Sequence, residues 1–297
     1  LPAIGVSYWL FGYSIIIQLL LACSTALIIE SCLLLLRRRA IKTALLDLSA
    51  LITAILLALS IPSIAPWWII VSGTAYAMII AKHIYGGLGY NPFNPAMVGY
   101  VFLLISFPQQ MTAWQNPELF LSIAQASELL FSNAMFDGIS AATVLDSAKT
   151  QLSLGENLIQ QALLPAPHSL LLAIAYALGG SYLLITRTIT WHLPCALLIG
   201  LLLPATLAHL TNPEIYNSPL IHLFSGATLC AAFFIITDPV TAATSKTARL
   251  IYGLLVGLLI YIIRTWGAYP DAVAFAILLG NLAAPSIDYY TEKSPRN

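Results

Sequence analysis

The sequence predicts an all-α polytopic integral membrane protein of about ten transmembrane helices, nine of them complete in this chain, and three observations predict it. Hydrophobic residues fill 59% of 297 positions and charged ones only 8%, about a third of the charge usual in soluble domains. Apolar stretches long enough to cross a bilayer, which takes roughly 17–25 residues, recur along the chain. Prolines fall mostly between those stretches, and tryptophans at their ends. Net charge is zero, so no global field points to nucleic acid or an acidic substrate. The partner that composition does imply is the lipid bilayer.

In order, the spans are A (13–36), B (44–61), C (67–84), D (96–107), E (169–186), F (191–208), G (219–237), H (250–264) and I (272–286). Arg37-Arg38-Arg39 ends A. Pro62 and Pro66 separate B from C, which opens on Trp67-Trp68. Pro92, Pro95 and Pro108 bracket D. Arg187 and Trp191 lie between E and F, Pro219 and Pro239 bound G, and Trp266 and Pro270 divide H from I. D, H and I are short or interrupted. Leu1–Leu10 reads as the tail of one further span, and no charged leader with a small-residue cleavage site is visible. Cys23, Cys32, Cys195 and Cys230 all lie in apolar stretches without metal-ligand spacing. They read as buried small hydrophobes, and no metal site is expected.

Basic residues set the orientation. Under strict alternation ten of twelve fall on one side: Arg37, Arg38, Arg39, Lys42, Lys82, Arg187, Lys246, Arg249, Lys293 and Arg296. Lys149 and Arg264 fall on the other. By the positive-inside rule the first set is cytoplasmic. Residues 108–168 then lie outside, which is the periplasmic side of the inner membrane if the source is a Gram-negative bacterium. The chain divides accordingly into an N-terminal transmembrane half (1–107), an external segment (108–168) and a C-terminal transmembrane half (169–297). The external segment is too long to be a mere turn. It carries Glu118, Glu128, Asp137, Asp146 and Glu156 against the single base Lys149. Its centre, Asp137-Gly138-Ile139-Ser140-Ala141-Ala142-Thr143, is small and turn-forming and becomes helix-compatible from Val144 to Leu154.

Two stretches are distantly alike. Ile84–Pro92 precedes span D and Arg264–Asp271 precedes span I, each running aromatic, glycine, tyrosine, proline. Five spans separate them, so the two halves would have opposite orientation, as in inverted-repeat transporters.

At these residues the chain resembles a known family. Tyr85-Gly86-Gly87-Leu88-Gly89, Asn91-Pro92-Phe93-Asn94-Pro95-Ala96, Phe233–Val240, Arg264-Thr265-Trp266-Gly267 and Asp288-Tyr289-Tyr290 resemble the D subunits of Rnf (Rsx) electron-transport complexes. Those proteins are related to the B subunit of the sodium-pumping NADH:quinone oxidoreductase. The resemblance implies ten helices in two inverted five-helix halves. It implies FMN joined by a phosphoester to a threonine in an Asp-Gly-x-Ser/Thr-x-Ala-Thr segment, matched here by Asp137, Gly138, Ser140, Ala142 and Thr143. Ala141 departs from the glycine or methionine often found there but is also small. By the same resemblance the partners are the other membrane and peripheral redox subunits, with a flavin transferase for maturation. A second, non-covalent flavin such as riboflavin is a further expectation.

Ser225-Gly226-Ala227-Thr228 fits a short flavinylation pattern even better. Thr228, however, lies well inside span G, roughly 13 Å deep at the helical rise and near the bilayer centre, beyond a soluble enzyme's reach, with its small neighbours serving helix packing. Ionisable residues within or near spans are functional candidates: Glu30, Asp47, Asp238, Asp271 beside Arg264, and His222. Pairing with nearby bases or turn roles explains Asp47 and Asp238 as readily. Glu30 stands about seven residues from the nearest base. No acid–base catalytic set is visible. The reading that follows is a subunit of a redox-driven ion translocase, not catalytic alone, that relays electrons between ferredoxin- and NAD-linked partners with movement of Na+ or H+. A solute channel on the same inverted repeat and a cofactor-free scaffold subunit are the competing readings.

Overall fold

The computed structural model describes residues 2–132, 138–154, 165–269 and 271–292. Over these described residues the protein is mostly helical, and five helices among them are long and apolar enough to cross a membrane: Tyr13–Leu36, Pro167–Ile185, His192–Thr211, Lys246–Trp266 and Val273–Thr291. Only 22–39% of each such span is buried within the protein. The outward faces carry Leu20, Ile28, Ile185, Leu203 and Leu207, all exposed. Helices this apolar on their outer faces need an apolar solvent, so this is a membrane protein.

The chain packs as two compact units, residues 4–142 and, with residues 1–3, residues 143–297. In the first, α1 (Pro2–Phe11) and α2 (Tyr13–Leu36) are followed by the short α3 (Ile41–Leu45), then α4 (Ser49–Ser60), α5 (Trp67–Tyr76) and α6 (Pro95–Ser106). A π-helical stretch, Ala77–His83, continues α5. Asn94 caps α6, its side chain accepting from the Met97 amide, and Pro95 supplies the pre-set first turn. The core between these helices is Ala22, Ala26, Ala54, Leu57, Ile69, Met78 and Leu103, each fully buried or nearly so. Beyond α6 come α7 (Pro108–Thr112), β1 (Trp114–Gln115), α8 (Ile123–Phe131) and β2 (Ser140–Ala141). β1 and β2 pair antiparallel, Trp114 opposite Ala141 and Gln115 opposite Ser140, a small addition to the all-α expectation.

Gln115 is the anchor of that ladder. Buried, it donates to the carbonyls of Phe11 and Leu119 and accepts from the hydroxyls of Ser14 and Ser63. Gly12, at φ 75°, breaks α1 from α2 just there. A Cβ on it would lie 2.3 Å from the Leu121 carbonyl oxygen, so only glycine fits.

The second unit holds α9 (Val144–Ser153), α10 (Pro167–Ile185), α11 (His192–Thr211), α12 (Pro219–Phe224), α13 (Thr228–Cys230) with a π-helical continuation Ala231–Ile235, α14 (Lys246–Trp266) and α15 (Val273–Glu292). α11 and α14 touch backbone to backbone. A Cβ on Gly257 would sit 2.1 Å from the Leu197 carbonyl oxygen, and one on Gly200 2.4 Å from that of Leu254. Such small-residue seams are how helices associate where lipid offers no hydrophobic drive.

Each predicted span coincides largely with helix, but B and G are not continuous: Leu46–Leu48 separate α3 from α4 inside B, and in G α12 stops at Phe224 and helix resumes at Thr228. The cysteines also depart from expectation. Cys230 is buried and Cys23 half-buried, but Cys32 and Cys195 are exposed, as small apolar side chains on outward helix faces can be.

Candidate functional site

Thr143 heads α9. Its backbone is extended (φ −72°, ψ 160°), and its Oγ1 accepts from the Asp146 amide at 3.2 Å. This is N-cap geometry, and it explains why the helix begins at Val144. On the N-terminal side Gly138 takes φ +84° with open space where a Cβ would be. Asn116 N donates to Ile139 O at 2.7 Å beside the β1–β2 ladder. Gly138, Ser140 and Ala142 are exposed and Thr143 is half-buried, so an enzyme could approach this hydroxyl. Asp137 lies outside the described residues. A phosphoester on Thr143 would hold its negative charge at the N-terminus of a ten-residue helix, where amide hydrogens and the helix dipole favour an anion. The residues present fit that group.

Thr228 sits in a different place from the one sequence reasoning gave it. The turn Ser225-Gly226-Ala227 interrupts span G, with Gly226 at φ +66°, so depth along one helix is the wrong argument. Burial closes the residue off instead. Thr228 is 0% exposed; its hydroxyl donates to the His222 carbonyl at 2.6 Å and accepts from Arg264 Nη1 at 2.9 Å.

Arg264 is the centre of that arrangement. A broken helix leaves carbonyls without amide partners, and the guanidinium supplies them. Nη1 also donates to His222 O at 2.9 Å, while Nη2 reaches Ser225 O at 3.5 Å and Asp271 Oδ1 at 3.0 Å. The second oxygen of Asp271 accepts from the Ala227 amide at 3.0 Å. The expected neighbourhood of Asp271 and Arg264 is thus present, as a clamp on the break. Sequence reading named both residues and missed the clamp. The signal available was a glycine inside an apolar span together with an arginine at the end of another.

Glu30 is not isolated. Its Oε2 meets Lys82 Nζ and His83 Nε2, each at 2.9 Å, with all three side chains buried. Lys82 also donates to Ser49 Oγ at 2.9 Å, and the Arg37 guanidinium donates to the His83 carbonyl. The π-helical stretch presents the adjacent Lys82 and His83 to one carboxylate, a convergence that counting along the sequence cannot reveal. Glu30→Gln should therefore act on stability first. Leaving buried Lys82 without its counter-charge costs about 3 kcal/mol, read as a lower unfolding temperature in detergent. The double variant Glu30→Gln with Lys82→Met should recover most of the loss. A single variant as stable as wild type would remove the bracing role.

The remaining acids have local work. Asp47 Oδ1 accepts from the amide and hydroxyl of Ser49 at the start of α4, rather than serving Lys42 or the arginine cluster as expected. Asp238 accepts from Val240 N and Thr241 Oγ1 in the turn after the π-helical stretch. Asp288 accepts from Thr244 N. Among the described residues no cluster of His, Cys, Asp or Glu could hold a metal ion.

Known proteins resemble this chain over nearly its whole length. The sequence model of the NQR2, RnfD, RnfE family matches residues 1–296. The D subunit of the ion-translocating oxidoreductase complex of Escherichia coli is 47% identical over 313 residues, covering 98% of this chain and 89% of the relative. Its namesake from Pectobacterium atrosepticum is 47% identical over 315 residues, covering 98% and 90%. The one from Salmonella arizonae is 47% identical over 314 residues, covering 98% and 89%. On a match of this extent and identity, the chain belongs to the NQR2, RnfD, RnfE family.

Proposed function

We propose that this chain is a membrane subunit of an ion-translocating oxidoreductase complex and carries FMN esterified to Thr143. The observation that carries the reading is an approachable threonine hydroxyl at the head of α9, preceded by Gly138, Ser140 and Ala142 in the family's order. When bound, the flavin supplies one- and two-electron chemistry. The chain's own residues position it: Thr143 provides the attachment oxygen, α9 offers its N-terminal amides, and the exposed Ser140 and Ala142 leave the flavin transferase an approach. A riboflavin held between helices is part of the same reading. The partners are the other membrane and peripheral redox subunits, and the route runs between ferredoxin- and NAD-linked carriers with movement of Na+ or H+. The test is flavin fluorescence of the denatured protein, expressed with and without a flavin transferase. A dark band in both cases would refute the attachment.

The wider architecture in this proposal is ten spans in two inverted halves. Among the described residues each compact unit holds five apolar helical segments, most of α1 with α2, α4, α5 and α6 in one and α10, α11, the broken α12–α13, α14 and α15 in the other. The orientation proposed puts Thr143 on the periplasmic side of the inner membrane. Cysteines introduced at Ser127 or Ser153 should then react with an impermeant maleimide in intact cells, and one at Ser245 should react only after lysis. This rests on the ten-to-two division of basic residues. Labelling at Ser245 in intact cells would reverse the orientation.

A further inference from the structure

Within the second unit, α9, the end of α14 and the residues ahead of α12 enclose a pocket lined by Leu145, Lys149, Asn217, His222 and Arg264, among others. Three of these carry buried side-chain atoms with no hydrogen-bond partner: Asn217 Oδ1, His222 Nδ1 and Arg264 Nε. Leaving such atoms unmatched costs about 1–3 kcal/mol each, so three around one space point to something that fills it. Among the described residues the lining also contains two cations, Lys149 and Arg264, and no acid. Asp271 meets Arg264 through Nη2, and Asp146 lies one turn from Lys149 on α9; neither lines the pocket.

We propose that this pocket binds a phosphate group. The Nε–H of Arg264 and the Nζ of Lys149 are cationic donors. Two of the ammonium hydrogens are directed at the carbonyls of Tyr269 and Arg264, at 3.0 and 3.4 Å, which leaves a third. The His222 ring can place a hydrogen on Nδ1, and the Asn217 amide can turn its NH2 inward. All four then donate, which suits an oxyanion with several acceptor lone pairs better than water, whose two hydrogens would face cations. Burial also pushes the Lys149 pKa down, against the pull of Asp146, and an anion beside it would favour its charged form. About 30 Å³ inside can hold the centres of water-sized groups, two or three of them. That is the scale of the oxygens of one phosphate and far below a flavin ring. The phosphate could belong to a free inorganic ion or to a phospholipid headgroup. The inference rests on the lining and not on the flavin reading.

The test uses the full chain purified in detergent without a flavin transferase, so that no flavin phosphate is present. Inorganic phosphate should raise the unfolding temperature saturably, while chloride at matched ionic strength should not. Lys149→Gln should weaken half-saturation about tenfold, the loss of one charged hydrogen bond, and Lys149→Arg should largely keep it. Baseline unfolding temperatures report whether the variants fold. Native mass spectrometry separates the sources: a phospholipid retained by wild type and lost in Lys149→Gln, with free phosphate acting only after delipidation, assigns the headgroup. If neither phosphate nor phospholipid binds, the pocket holds water and the proposal falls. It falls equally if binding is indifferent to Lys149.

Discussion

Arg264→Met should cost the protein about 3 kcal/mol, the lower end of the range for removing one partner of a buried ion pair, since water still reaches part of Asp271. The side chain is 1% exposed and bonds Asp271, two carbonyls and the Thr228 hydroxyl. Methionine has similar length and no donors. It would leave the carbonyls of His222 and Ser225 and one carboxylate oxygen facing an apolar side chain. A domain's whole stability is roughly 5–15 kcal/mol, so a sharp fall in unfolding temperature and in folded yield is expected. Arg264→Lys should recover only part, because a single ammonium cannot span the acceptors that a planar fork reaches at once. Adding Asp271→Asn to the methionine variant should return a further part by removing the stranded charge. An Arg264→Met protein within about 1 kcal/mol of wild type, the scale of an ordinary substitution, would mean that the Gly226 turn holds the break without the clamp.

What could be read from the sequence divides along physical lines. Spans were legible because lipid demands apolar runs, and prolines mark their ends. The start of α9 at Val144 was legible because a small, turn-forming run gives way there to helix-compatible residues, with Thr143 as the N-cap. Long-range polar contacts were not. Glu30 lies 52 residues from Lys82 in sequence and 2.9 Å away in space. Gln115 joins residues 101 positions apart through Ser14. The break in span G was hidden for another reason: Ser225-Gly226-Ala227 is apolar enough to pass for helix, and only the positive φ of Gly226 and a guanidinium from elsewhere make it a turn.

The Thr143 segment and the broken helix together set the sharpest expectation. Thr143→Val keeps β-branching and shape but removes the oxygen on which FMN would be esterified. It also removes the N-cap acceptor for the Asp146 amide, worth about 1 kcal/mol in a typical helix, so the protein should still fold and insert. Its denatured band should lose all flavin fluorescence. Thr228→Val is the matched control with the opposite balance. It should remain fluorescent but lose stability, because its hydroxyl serves His222 O and Arg264 in a fully buried position. Unsatisfied groups left there cost about 1–3 kcal/mol. Thr143→Ser retains a hydroxyl and a good N-cap; persistent fluorescence would show that the transferase needs the oxygen, and darkness that it also reads the methyl group. A fluorescent Thr143→Val beside a dark Thr228→Val would move the attachment to the broken helix. If both variants stayed fluorescent, the flavin would belong to neither threonine, and the proposed role of α9 would go with it.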